Sequence, residues 1–145
     1  MDQTDDPLLL RDQVCFALYS ASRAVTGVYR PLLDELGLTY PQFLVLLALW
    51  ERDGRTVSDI GAALRLDSGT LSPLLKRLES AGLVDRRRES GDERRVTVHL
   101  TEAGESLRER AKTVPARIAE AARLTPNQLR ELRDVLITLT DNLKG

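Results

Sequence analysis

Between Leu8 and Leu36 the apolar residues Val14, Leu18, Ala21, Val25, Val28, Leu32 and Leu36 recur every three or four positions, which predicts one long amphipathic helix. Pro31 is the point at which that helix can kink, and Gly37 supplies its C-terminal cap. Tyr40-Pro41 opens a second apolar helix, with proline early where it is tolerated, running through Leu44, Leu47 and Leu49 to about Arg52; Gly54 ends it. Thr56-Val57-Ser58-Asp59 fits a capping box for a short helix from Val57 to about Leu64. Another follows from Ser68 to Ser80, with Asp67 or Ser68 as N-cap and Gly82 at its C-terminal turn. Only three or four residues separate these two helices, a length that makes them cross steeply.

The period then changes. Leu83 to Arg88 and the alternating stretch Arg95 to Leu100 read as two strands, joined through Glu89-Ser90-Gly91-Asp92-Glu93. Thr101 caps a helix from about Glu102 to Ala122, and the capping box Thr125-Pro126-Asn127-Gln128 opens a last one to about Leu143. The order predicts a mainly α (α+β) chain: N-terminal helices over 1–53, a winged helix-turn-helix over 54–100, and C-terminal helices over 101–145, interlocked as one globular unit. No internal repeat or low-complexity tract interrupts it.

Composition narrows the classes. With 145 residues and 42% hydrophobic content the chain can bury a core. No apolar run approaches the roughly 18 residues that span a bilayer, and the start Met1-Asp2-Gln3-Thr4-Asp5-Asp6 is acidic where a secretory signal is basic, so no membrane partner and a cytoplasmic location are expected. One cysteine and one histidine argue against a metal site, and no cofactor is expected. Net charge is −1, which taken alone argues against a nucleic-acid partner. Its distribution argues otherwise: Arg65 to Arg95 holds eight basic and six acidic residues, while the remainder is net acidic.

A recognition helix enters the major groove by its N-terminal end, so that end needs small and polar residues. Ser68, Gly69, Thr70 and Ser72 meet the need, with Lys76 and Arg77 one to two turns further on for phosphates or guanine; Leu71, Leu74, Leu75 and Leu78 supply the apolar face. On the hairpin, Arg86-Arg87-Arg88 and Arg94-Arg95 offer guanidinium groups to the minor groove, Arg94 foremost, and Asp92 can hold Arg94 extended. The bland reading of the same residues is a set of caps and a solvated charged turn.

Ser58-Asp59-Ile60-Gly61, Leu83-Val84 and the run from Asp92-Glu93-Arg94-Arg95 to Leu100-Thr101-Glu102-Ala103-Gly104 resemble the multiple antibiotic resistance regulator (MarR) family over nearly the whole chain. The resemblance implies a homodimer whose first and last helices form a dimerisation domain, with wings and recognition helices straddling a pseudo-palindromic double-stranded operator.

Cys15 falls in the first predicted helix with Tyr19 one turn on, near enough for a hydroxyl to approach the sulfur. A hydrogen bond to the charged form favours the thiolate, the species that attacks peroxides. A free cysteine is otherwise most often a small buried hydrophobe. Gln13 to Tyr19, Ser22 to Thr26, Tyr29-Arg30-Pro31-Leu32-Leu33 and Leu38-Thr39-Tyr40-Pro41-Gln42-Phe43 are similar to the organic hydroperoxide resistance regulator (OhrR) branch of that family, of its one-cysteine type. That similarity implies a peroxide sensor at Cys15, with Tyr29 and Tyr40 bonding to it, organic hydroperoxides as inducers, and a small cellular thiol forming a mixed disulfide or further oxidation to sulfinic or sulfonic acid. Along a continuous helix Tyr29 lies roughly 21 Å from Cys15. Any contact between them must therefore cross to a second subunit.

Phe43 and Trp50 read as core or pocket wall, Phe16 as an apolar neighbour of Cys15, and His99 as a half-exposed strand residue. Three other functions stand beside the peroxide sensor, one of them an interaction module without DNA, which would show no salt-dependent binding to any palindromic duplex. A thiol peroxidase lacks a resolving cysteine and any catalytic motif, so no enzyme is expected. A repressor released by a non-covalent small aromatic ligand, with Cys15 incidental, remains as the alternative.

Overall fold

The computed structural model describes residues 6–88 and 95–144. The chain divides into two compact units, Met1–Val114 and Pro115–Gly145.

In the first unit a 3-10 turn at Leu10–Asp12 precedes α1, Val14–Asp34. The predicted start at Leu8 is six residues early. Gln13 has an extended backbone, and its side-chain amide donates to the Pro7 and Leu9 carbonyls, so Leu8 and Leu10 belong to an arm outside the helix. At the other end Gly37 takes φ +71°, and Leu38 N–H closes back on the Leu33 carbonyl, ending the helix before Leu36. Helix α2, Tyr40–Glu51, starts from a reciprocal box: Thr39 Oγ1 accepts from Gln42 N–H while Gln42 Oε1 accepts from Thr39 N–H. It is apolar nearly all round and forms the middle of the core, burying Phe43, Val45, Leu46, Ala48 and Leu49.

Next comes a strand the sequence pattern did not predict, β1, Arg55–Thr56. Helix α3, Val57–Leu64, is capped by Thr56, whose Oγ1 accepts from Asp59 N–H. The expected box is only half made, because the Asp59 carboxylate turns to the guanidinium groups of Arg52 and Arg55. Arg65 takes the left-handed conformation, φ 58°, and reverses the chain into α4, Ser68–Ser80, capped by Asp67 through Thr70 N–H at 2.7 Å.

Strands β2, Val84–Arg88, and β3, Val96–Leu100, pair antiparallel, Arg86 opposite Val98, and β1 joins the far edge of β3 to give the order β1-β3-β2. Helix α5 is Glu102–Ala111 and α6 is Thr113–Ala122, where one helix was expected. Pro115 has no N–H for the Ala111 carbonyl and its ring crowds that carbonyl, so the helix breaks at Lys112. The second unit ends in α7, Pro126–Lys144, opened by the predicted Thr125–Gln128 box.

The core gathers α2 with Ile60 of α3, Leu71, Leu74, Leu75 and Leu78 of α4, Val84 of β2 and Val98 of β3. Each such side chain contributes about 1.5–3 kcal/mol by leaving water. That burial fixes the rotation of α4 and leaves its other face outward. Helix α1, by contrast, buries only Leu33, and α7 buries nothing; Val14, Phe16, Tyr19, Val25 and Val28 of the one and Leu132, Val135, Ile137 and Leu143 of the other stay exposed. Among the described residues no helix is long and apolar enough to cross a membrane.

Candidate nucleic-acid interface and cysteine site

Ser68, Gly69, Thr70, Ser72, Lys76 and Arg77 are all exposed on α4, opposite its buried leucines. Ser68, Ser72 and Lys76 stand at i, i+4 and i+8, one above another. Beside them lies a groove of about 580 Å³ lined by Thr56, Val57, Ser58, Ser68, Ser72, Arg86, Arg95 and Val96. The N-terminal turns of both α3 and α4 therefore reach it, and Arg86 of β2 and Arg95, just before β3, line it with them. Unpaired N–H groups and the positive ends of helix dipoles favour anions, and guanidinium groups bind phosphate in a fixed fork. The arrangement suits a phosphate backbone lying between recognition helix and wing. Asp92 and Arg94 lie outside the described residues.

Two acidic groups set this face: Asp67, expected as the N-cap, and Glu79, which the sequence reading did not single out. The Asp67 carboxyl is held below its usual range by the Thr70 N–H it accepts. Glu79, on the last turn of α4, accepts from both the backbone N–H and Nε of Arg86 at 3.3 Å. A Glu seven residues before an Arg in the next strand carries no sequence signal, because only the tertiary turn at Gly82 brings them together.

The cysteine site is built on α1. Cys15 is a free thiol, exposed in the first helical turn, the end of a helix that favours negative charge. Tyr19, on the same face, has its ring under the Arg23 guanidinium, 5.6 Å from the centroid. The structure brings Tyr29 and Tyr40 together, ring centroids 4.8 Å apart, and places Tyr29 against Phe43. Burial, with Tyr40 adding to it, pushes the Tyr29 hydroxyl above its ordinary value of 10.0, so it stays a proton donor at neutral pH. Helix α1 runs unbroken from Cys15 to Tyr29, about 21 Å of rise, so the pair is not brought to the sulfur of its own chain. Phe43 continues edge-on to Trp50, centroids 6.3 Å apart. Among the described residues no three His, Cys, Asp or Glu side chains gather as a metal site.

Residues 27–110 match the family model described as transcriptional regulator SarA/Rot. Over 143 residues the chain is 46% identical to the organic hydroperoxide resistance transcriptional regulator of Bacillus subtilis (strain 168), covering 99% of this chain and 97% of that protein. Among solved structures, reduced AbfR bound to DNA matches with a TM-score of 0.77 and 36% identity over 94% of this chain and 95% of its own. AbfR, from Staphylococcus epidermidis, has also been solved overoxidized and bound to DNA, and with a disulfide formed. The PcaV transcriptional regulator from Streptomyces coelicolor, in complex with its natural ligand, matches with a TM-score of 0.84 and 25% identity over 94% of this chain and 97% of its own.

Proposed function

The chain belongs to the MarR family of transcriptional regulators, in its organic hydroperoxide resistance branch, and on that premise we propose that it is a homodimeric repressor that binds a pseudo-palindromic operator and releases it when Cys15 is oxidised by an organic hydroperoxide. The observation that carries this reading is the layout of α1 and the start of α2: an exposed thiol at one end of α1, Tyr29 packed on Tyr40 of α2 toward the other, and an apolar face on which only Leu33 is fully buried. A second copy covering that face and the equally bare face of α7 brings the Tyr29–Tyr40 pair of one subunit to Cys15 of the other. The sensor is then part of the seam that sets the spacing of the two DNA-reading heads, which face successive major grooves about one helical turn apart.

The chemistry needs nothing further from the protein. The thiolate takes the terminal hydroxyl oxygen of the hydroperoxide, the O–O bond breaks, and the leaving alkoxide takes a proton to become the alcohol, leaving Cys15 as sulfenic acid. A tyrosine hydroxyl at the seam steadies the thiolate before attack. With no second cysteine in the chain, a small cellular thiol condenses with the sulfenic acid to a mixed disulfide and water. That AbfR has a DNA-bound overoxidized form favours the bulkier mixed disulfide, rather than further oxidation, as the releasing state. Release follows from a rigid-body shift of the heads as the added group wedges the seam.

The test is a mobility shift on the DNA upstream of the chain's own coding sequence, with cumene hydroperoxide and a small thiol, for wild type and Cys15→Ser. Wild type should lose the operator and Cys15→Ser should keep it. The likeness to ligand-bound PcaV favours one second reading, release by a non-covalent aromatic ligand; under it both proteins ignore peroxide and respond equally to that ligand.

A further inference from the structure

From the Tyr29–Tyr40 pair a row of aromatic rings leads into the head. Tyr29 and Phe43 have centroids 6.3 Å apart, as do Phe43 and Trp50, within the range of direct ring packing. The row ends in a directional bond: the Trp50 indole Nε1–H donates to the Gly104 carbonyl at 2.9 Å, joining residues 54 positions apart. Gly104 sits in the first turn of α5, so its carbonyl also serves the helix and uses its second lone pair for the indole.

That first turn is clamped to the root of the wing. A Cβ on Gly104 would lie 2.2 Å from the Leu83 carbonyl oxygen, so the two backbones touch. Thr101 N–H donates to the same Leu83 oxygen at 3.1 Å, and Thr101 Oγ1 donates to the Gly82 carbonyl at 2.6 Å. Gly82 and Leu83 lead directly into β2, which carries Arg86 to the groove. Every step of this row lies within the unit Met1–Val114.

We propose that Trp50 is a positioning residue that ties the tyrosine pair to the root of the wing, so that a shift of Tyr29 and Tyr40 is passed through Phe43 and the Trp50–Gly104 hydrogen bond to Gly82–Leu83. The proposal rests on the peroxide-sensing reading and adds the route by which the sensor reaches the hairpin. The packing of the rings alone would make Trp50 a core filler. The hydrogen bond separates the two roles, because phenylalanine keeps most of the filling and none of the bond.

The experiment compares wild type with Trp50→Phe, both as reduced protein and after cumene hydroperoxide plus a small thiol, with Cys15 modification followed by mass spectrometry. Trp50→Phe should bind operator within about twofold of wild type when reduced and be modified at Cys15 at the same rate. Its loss of operator affinity on oxidation should be at least about tenfold smaller than that of wild type. Equal release by the two proteins overturns the proposal alone, whereas a wild type that holds its operator when fully modified overturns the sensing reading beneath it as well. Trp50 is the single tryptophan, so its emission is a second readout that needs no variant: it should shift when Cys15 of DNA-free wild type is modified. An unchanged emission spectrum overturns the proposal even where Trp50→Phe fails to fold.

Discussion

Glu79 holds Arg86 at two atoms, its Oε2 accepting from the backbone N–H and from Nε, and so joins the end of the recognition helix to the first strand of the wing. The Arg86 side chain in turn holds the Glu79 carboxyl below the usual carboxylate range. The folded state thus favours the ionised form. Its contribution is present above the unfolded value of about 4.3 and is lost as pH falls through the lower folded value. Glu79→Gln keeps the size and removes the charge. Exposed ion pairs are worth little, so stability should hardly change, while operator affinity at neutral pH should fall about threefold to tenfold as Arg86 loses its aim. Fluorescence anisotropy with labelled operator reads this directly, and an unaltered affinity would mean that Arg86 finds its place without Glu79.

Thr39 and Gln42 close a reciprocal box at the start of α2, and the first residue after that cap is Tyr40. Thr39→Ala should therefore do two things. It should cost about 1 kcal/mol in urea unfolding, the usual worth of a threonine cap. It should also fray the turn that holds Tyr40 against Tyr29 and slow the oxidation of Cys15. A variant that loses stability but oxidises at the wild-type rate would separate the cap from the sensor.

Local chemistry made most of the fold legible. Asp67 and Thr125 each mark a helix start by a side chain that reaches a backbone N–H three residues on, and α4 keeps its predicted bounds because its leucines recur at helical spacing. Most of the misses depend on partners distant in the chain, while the helix break before Pro115 is local. Strand β1 is two residues long, too short for any alternation, and exists because β3 passes beside it. The break at Lys112 was hidden because the apolar rhythm runs on through Pro115. Tyr29 and Tyr40 were singled out by resemblance, while their contact with each other needed the turn at Gly37. The hydrogen bond from Trp50 to Gly104 was missed altogether, although a signal for the acceptor existed. Glycine inside a helix costs about 1 kcal/mol against alanine, so Gly104 in the first turn of α5 hinted at a close backbone approach.

That hint gives a paired prediction on two glycines in first helical turns. At Gly104 an added methyl would meet the Leu83 carbonyl oxygen at 2.2 Å, backbone that cannot swing aside, so Gly104→Ala should cost about 1–3 kcal/mol or more. At Gly69 the nearest atom to an added methyl is Asp67 Oδ1 at 3.5 Å, an ordinary contact, so Gly69→Ala should fold at least as well as wild type. Its effect should appear only with DNA, where a methyl on the exposed N-terminal turn of α4 holds the backbone away from the groove floor and weakens operator binding. Urea titration and operator titration of both variants should give opposite patterns.

Tyr29 offers the sharpest test of the tyrosine pair because burial, and after it the neighbouring Tyr40, pushes its hydroxyl upward from 10.0. Raising the pKa of an acid means that the fold favours its neutral form. The hydroxyl therefore remains a donor throughout the range below the unfolded value of about 10, and any contribution it makes is lost only as pH rises through the higher folded value. The rate of Cys15 oxidation by cumene hydroperoxide in wild type should accordingly show no step that is absent from Tyr29→Phe at any pH well below about 10. Tyr29→Phe leaves the ring packed against Tyr40 and removes only the donor. Stopped-flow oxidation should slow by about tenfold at pH 7, as expected for loss of one hydrogen bond to a charged atom. If the variant oxidises as fast as wild type, the thiolate is not bonded by Tyr29, and the exposed turn of α1 must by itself account for the reactivity of Cys15.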